Sequence, residues 1–363
     1  MPKAATLLIA FALCALILPP RPAAGETADQ SSAPPSDSES AKPHPKPTTA
    51  RERAAARRSA RDNATKAKRE KDRTEWVAKL KARGVEPWPE EDTEQAHADA
   101  LAKSREKVND VLANFPGTQL FETDRFLFVS NIPQKQVAPY IASLDKMYDW
   151  MCKLYGVPRD HKVWLGGKAP IFAFLNQDEF TAFEDRHYPE ARESFHTLSN
   201  VYGLSHLSEN GEVVISCYRG NDPNDFAQML VHETSHGFIH RYKTKARLPN
   251  WVDEGMADLI GAEMVPASTV VKNREYQAIL QISQKRSLGG MLTTERIEAW
   301  QYGVASNLTR FLLQSNRDEY VRFIEALKEG QKWDEALKDA YNSRPEELLT
   351  AYGRWIKVGN LQP

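Results

Sequence analysis

Residues 232–236 read His-Glu-Thr-Ser-His. Two histidines four positions apart lie one turn apart on the same face of an α-helix, so both imidazoles can reach one metal ion. Glu233 follows the first histidine by one position and projects beside that shared point, where a water would sit. That is the place for a general base. The preceding residues supply a helix start: Asp222 as the N-cap, Pro223 in the first turn, and Asp225 near the positive end of the helix dipole. A charged helix surface would carry the same five residues, so the stretch that follows has to decide between the two.

A catalytic zinc site needs a third protein ligand and one open position. After the basic loop ending in Arg247-Leu248-Pro249, Asn250 reads as the N-cap of a second helix, with Asp253 three residues later. Glu254 falls 18 positions beyond His236, enough for the chain to turn and return antiparallel to the first helix. Glu254 and Asp258 are themselves one turn apart and share a face. The nearer carboxylate is placed to ligate metal, and the second to hold the far nitrogen of a ligand histidine. Gly255 and Ala257 are small, which lets two helices approach closely.

His232-Glu233-x-x-His236 followed by Glu254-Gly-Met-Ala-Asp258 resembles the gluzincins, the zinc peptidase group of thermolysin and neprilysin. The Pro249-Asn-Trp-x-x-Glu254-Gly-x-Ala257 version is similar to bacterial peptidase MA-like domains. The close match covers His232 to Ala262, and a looser match in element order extends over roughly residues 118–358. The resemblance implies one zinc per chain, held by His232, His236 and Glu254. Glu233 would be the base and Asp258 would orient His232. Tyr302, at a helix start in Trp300–Ala305, would donate to the developing oxyanion, with Arg219 and Tyr202 as reserves. It also implies a zincin-like α+β fold: a small mixed sheet, an active-site helix pair and a helical C-terminal part. The strand Glu212–Tyr218 resembles the zincin edge strand that pairs with an extended peptide. The implied activity is hydrolysis of peptide bonds by a zinc-bound water that Glu233 activates. From a different class, the alternative is a zincin-like envelope scaffold that keeps the metal without turnover.

Other histidines do not fit. The rival zincin pattern needs a histidine at position 242, which is Tyr242. His240 continues the ligand stripe but lies a turn too far along to share an ion with His232. His187, His196 and His206 lack ligand spacing, although His206, in a 202–209 loop, keeps a chance of lining the cleft. Cys152 and Cys217 could pair or stay as thiols; without a Cys-x-x-Cys, cysteine-based zinc or redox chemistry has no support.

The elements that must position this chemistry follow from patterning. Helices are expected over 91–114 and 136–155, and strands over 121–132, 171–175 and 212–218. From residue 222 the chain is almost wholly helical, the strands-then-helices order of an α+β domain. That domain is expected to span residues 90–363. Ahead of it, Lys3, the apolar run Ala4–Leu18, Pro19-Pro20 and the small residues Ala23, Ala24 and Gly25 have the order of a secretory signal peptide cleaved near Gly25. The run is short for a transmembrane span, and no later segment reaches that length, so no span is expected in the mature chain. The expected location is secreted or periplasmic.

Residues 26–89 read as a Pro/Ser-rich linker followed by a basic, helix-prone arm. From Lys42 to Arg83 there are 15 Lys/Arg against 5 Asp/Glu, and from Gly84 onward 31 against 40. The formal net charge of -1 averages a basic arm and an acidic body. The partners expected are a peptide or protein substrate and an anionic surface for the arm, with no specific nucleic acid.

Overall fold

In a computed structural model, the structure describes residues 50–89, 93–158, 161–190 and 201–363. The signal-peptide segment 1–25, the linker up to residue 49 and His196 lie outside the described residues. Contacts divide the chain into an N-terminal unit that ends at Ala82 and a compact body that runs from Arg83 to Pro363. The N-terminal unit contributes α1 (Ala50–Ala82), 33 residues of good helix formers with its described side chains exposed along most of its length. Lys71 and Glu75 form an i,i+4 pair at 3.7 Å on its surface.

The body is an α+β fold. In order its elements are α2 (Glu94–Asn114), β1 (Gln119–Glu122), β2 (Phe126–Ser130), α3 (Gln134–Tyr155), β3 (Ala169–Phe174), α4 (Gln177–His187), β4 (Gly203–Leu207), β5 (Val213–Tyr218), α5 (Pro223–Arg241), α6 (Asn250–Met264), α7 (Val270–Lys285), α8 (Gln301–Ser315), α9 (Arg317–Lys328), α10 (Trp333–Tyr341) and α11 (Pro345–Trp355). The sheet order is β1-β2-β3-β5-β4, with β2, β3 and β5 mutually parallel and the outer strands antiparallel. Both faces of its centre are covered, which is why β2, β3 and β5 are buried at every position. One face (Phe126, Phe128, Ile171, Ile215) joins α3 and α5 in the main core. The other (Leu127, Phe172, Phe174, Val214) packs on Val108 and Val111 of α2 and Phe180 and Phe183 of α4. No helix among the described residues is long and apolar enough to cross a membrane.

Two sequence expectations change. The single strand over 121–132 is a hairpin, because Thr123 closes a turn: its Oγ1 accepts from the Arg125 and Phe126 amides at 3.2 and 3.0 Å. The strand Glu212–Tyr218, observed as β5 (Val213–Tyr218), is not the edge. It lies between β3 and β4, and the edge strand is β4. The Asn210-Gly211 pair that turns β4 into β5 is a hairpin signal that the patterning above passes over.

Small residues let the helices close on one another. A Cβ on Gly261 would lie 2.5 Å from Gln228 Nε2, so this glycine sets the approach of α6 to α5. A Cβ on Gly255 would overlap the Ala305 carbonyl oxygen and lie 2.5 Å from Thr309 Oγ1. Gly255 therefore serves the contact of α6 with α8 rather than with α5. Gly255→Ala should destabilise the body by about 1–3 kcal/mol, the usual cost of overpacking. A thermal melt should register this as a loss of several degrees in Tm.

Candidate metal centre

Helix α5 starts where the sequence indicates: Asp222 Oδ1 accepts from the Asn224 and Asp225 amides at 2.7 and 3.1 Å, and Pro223 follows. From Phe226 to Arg241 every residue is buried, and α6 is buried over nearly its whole length. Polar side chains on such helices have no water to turn to and must find partners inside. Gly261 late in α6 meets Gln228 early in α5, while Glu254 early in α6 meets His236 late in α5, so the two helices run antiparallel.

That seam brings His232, His236 and Glu254 together. Their ligand atoms all lie within 4.8 Å of one another, and all three residues are buried. The imidazole rings stand edge to face, 82° apart, with their Nε2 atoms 3.2 Å from each other. Glu254 Oε2 lies 3.4 Å from His236 Nε2 and 3.7 Å from His232 Nε2. Its other oxygen, Oε1, accepts from Asn250 Nδ2 at 3.0 Å, whereas Oε2 is buried without a hydrogen bond among the described residues. Two imidazole nitrogens and an orphaned carboxylate oxygen thus face a common point. This donor set suits a divalent metal of the zinc type.

Each histidine is held from behind. His232 Nδ1 lies 2.9 Å from Asp258 Oδ1, and His236 Nδ1 lies 3.0 Å from Asp253 Oδ1. A carboxylate at Nδ1 favours the tautomer that carries its proton there, which leaves Nε2 free as a donor to metal. Asp258 in turn meets Arg274 Nη1 of α7 at 3.4 Å.

The electrostatics register how much charge is buried here. Burial pushes the carboxyls of Glu233 and Glu254 up to about 8. It also lowers the His232 pKa. For His236 burial acts in the same direction, but the charges of Asp253 and Glu254 outweigh it and hold that imidazole well above its ordinary value. Glu233 is not part of the triad, and its Oε1 is buried and makes no hydrogen bond among the described residues. The edge strand abuts it: a Cβ on Gly203 of β4 would lie 3.2 Å from Glu233 Cγ.

Tyr302 sits in the first turn of α8 with Arg274 over its ring at 5.5 Å. Burial raises its phenol pKa, reinforced by the charges of Glu254, Asp258 and Glu233. Arg219 donates to Gln136, and Tyr202 stacks on Tyr218 with ring centroids 5.0 Å apart. His240 lies outside the triad, with its Nε2 3.1 Å from the Ser208 carbonyl. His206 is on strand β4 rather than in a loop. It faces α4, where it pairs with Glu184 at 3.1 Å and stacks on Tyr188. That is the sheet face opposite the metal helix. His187 pairs with Asp110 at 3.2 Å. Cys152 and Cys217 are both buried and are not joined to each other in a disulfide.

The sequence reading missed three residues. Asp253 has the spacing of a capping partner and instead holds His236. Asn250 is the first residue of α6, with Pro249 as the cap, and its side chain holds Glu254. Arg274 arrives from another helix, so local spacing carries no signal for it. No protein-family model matches the chain, and no curated protein matches it.

Asp258→Asn keeps the shape at His232 but removes the charge. Zinc affinity, measured by chelator competition, should fall about 10- to 100-fold, the usual loss for such a partner. That corresponds to about 1.4–2.8 kcal/mol. Were Asp258 only a packed helix residue, affinity would not change.

Proposed function

We propose that the chain is a zinc-dependent peptidase of gluzincin type, exported to the periplasm or the medium, acting on peptide or protein substrates. One observation carries the reading: the buried, unbonded Glu254 Oε2 faces the Nε2 atoms of His232 and His236 at 3.7 and 3.4 Å. In this reading His232, His236 and Glu254 hold the ion, which when bound supplies a Lewis acid that acidifies water and polarises a carbonyl. Glu233 takes a proton on its unpartnered Oε1 and delivers it to the leaving amine. Burial raises the proton affinity of its carboxyl above that of an exposed glutamate. Asp258 and Asp253 fix the imidazole tautomers. Tyr302 supplies the hydroxyl for the developing oxyanion, and Arg274 against its ring orients it. The signal-peptide order of residues 1–25 supports export. The basic composition of the arm supports contact with an anionic surface.

A second reading has an observation of its own. His232 and Glu233 are each 1% exposed and Glu254 0%, as expected of a metal that stabilises a scaffold without meeting a substrate. Glu233→Gln separates the two. Because Glu233 is not a ligand, the variant should keep parental zinc content and lose nearly all zinc-dependent cleavage of a peptide library. Parental cleavage by the variant would remove Glu233 from the mechanism. No cleavage by the parent under any zinc-replete condition would favour the scaffold.

A further inference from the structure

The connection between the two ligand-bearing helices, residues 242–249, is strapped down by a segment far upstream. Residues 83–89 belong to the compact body. Pro87 and Thr244 form an antiparallel bridge: the Trp88 amide donates to the Lys243 carbonyl at 2.9 Å, and the Lys245 amide to the Glu86 carbonyl at 2.8 Å. A side-chain pair repeats the link, with Lys245 on Glu86 at 2.8 Å, and Arg83 Nη1 donates to the Glu329 carbonyl at the end of α9 at 3.2 Å.

Trp88 is the anchor, 5% exposed. Its Nε1–H donates to the His240 carbonyl at 2.7 Å, its ring meets the His240 imidazole edge-on at 5.4 Å, and the Arg241 guanidinium lies over it at 4.6 Å. The β4–β5 turn also abuts it. Gly211 holds φ at 92° there, and a Cβ would crowd Arg241 Nη1 and lie 3.1 Å from Trp88 Cζ3.

The His240 carbonyl is one of the last in α5 and has no partner within the helix. Buried without the indole, it would keep only the 3.4 Å contact with Lys328 Nζ, whose shorter bond, 2.7 Å, goes to the Ala246 carbonyl. The His240 N–H pairs, in the i→i−4 pattern, with the carbonyl of His236. The turn that Trp88 caps is therefore the turn that carries a ligand. From there the strapped connection runs directly into Asn250 and Glu254. Release of the strap would free both the end of α5 and the entry to α6.

We propose that residues 83–89 are a positioning strap for the metal centre, with Trp88 the positioning residue that fixes His236 relative to Glu254; this rests on the His232/His236/Glu254 reading of the site. The test uses the full chain as parent, Trp88→Phe and Trp88→Ala. Phe keeps an apolar ring and loses the Nε1–H; Ala loses both. Zinc affinity is measured by chelator competition, and thermal unfolding is followed without zinc. Zinc affinity should fall about tenfold or more in Trp88→Ala and by a smaller factor in Trp88→Phe, in line with losses of other supporting partners. A role in stability alone would lower the zinc-free Tm and leave affinity within about twofold of the parent, and that result overturns the strap. If Trp88→Ala does not fold, Trp88→Phe decides by the same criterion. A parent that binds no zinc overturns the metal reading itself, and the strap with it; a parent that binds while both variants bind equally overturns the strap alone.

Discussion

Four carboxylates and two imidazoles are buried together in the seam between α5 and α6, and the rest of the structure is arranged around that concentration of charge. Glu233, Asp253, Glu254 and Asp258 are all buried. Ionised carboxylates removed from water cost several kcal/mol each unless something positive meets them. Arg274 serves Asp258, and Asp253 is held below the usual carboxylate range against its burial, first by His236 and then by the charges of Arg247 and Lys328. For Glu233 and Glu254 burial outweighs the favourable charge of His236 and drives both toward their protonated forms. On the proposed reading, a divalent ion held by His232, His236 and Glu254 would supply positive charge at this point.

The fold meets this demand by giving each atom at the seam one task. Asn250 occupies one oxygen of Glu254 and leaves the other bare. The same asparagine accepts the Ile297 amide at 2.8 Å, which ties the start of α6 to the segment that leads into α8 and Tyr302. Both Nδ1 atoms lie within 3.0 Å of a carboxylate oxygen, and both Nε2 atoms turn inward. Close helix contacts, of α6 with α5 at Gly261 and with α8 at Gly255, keep these groups buried, which strengthens every one of these interactions. On the sheet side, α5 lies against β5 and β4, and the missing side chain of Gly203 leaves room for Glu233.

Much of this was legible in the sequence, because helix spacing is a rigid ruler. The i,i+4 pairs His232/His236 and Glu254/Asp258 fixed which side chains share a face. Asp222-Pro223 fixed where the first helix begins. The strands-then-helices order carried the fold class. What was not legible depends on tertiary neighbours. Asp253 has the spacing of a capping residue, and only the approach of α5 makes it a partner for His236. Arg274 lies on a helix whose placement no local pattern predicts. The identity of the edge strand also escaped, because β5 follows β4 in sequence yet pairs with β3, so order along the chain is not order in the sheet. Residues 83–89 read as the tail of a basic arm, since nothing in their composition marks Trp88 as a cap for the end of α5.

The proposed site is mononuclear, made by two imidazoles and one carboxylate. X-ray absorption at the zinc edge, on full-length protein purified from zinc-replete growth with its zinc content determined, tests it most directly. Such a site holds one zinc per chain with a first shell of nitrogen and oxygen at about 2.0–2.2 Å, and that shell is lost in Glu254→Ala. Folded protein without stoichiometric zinc, or a sulfur shell at about 2.3 Å, would contradict it.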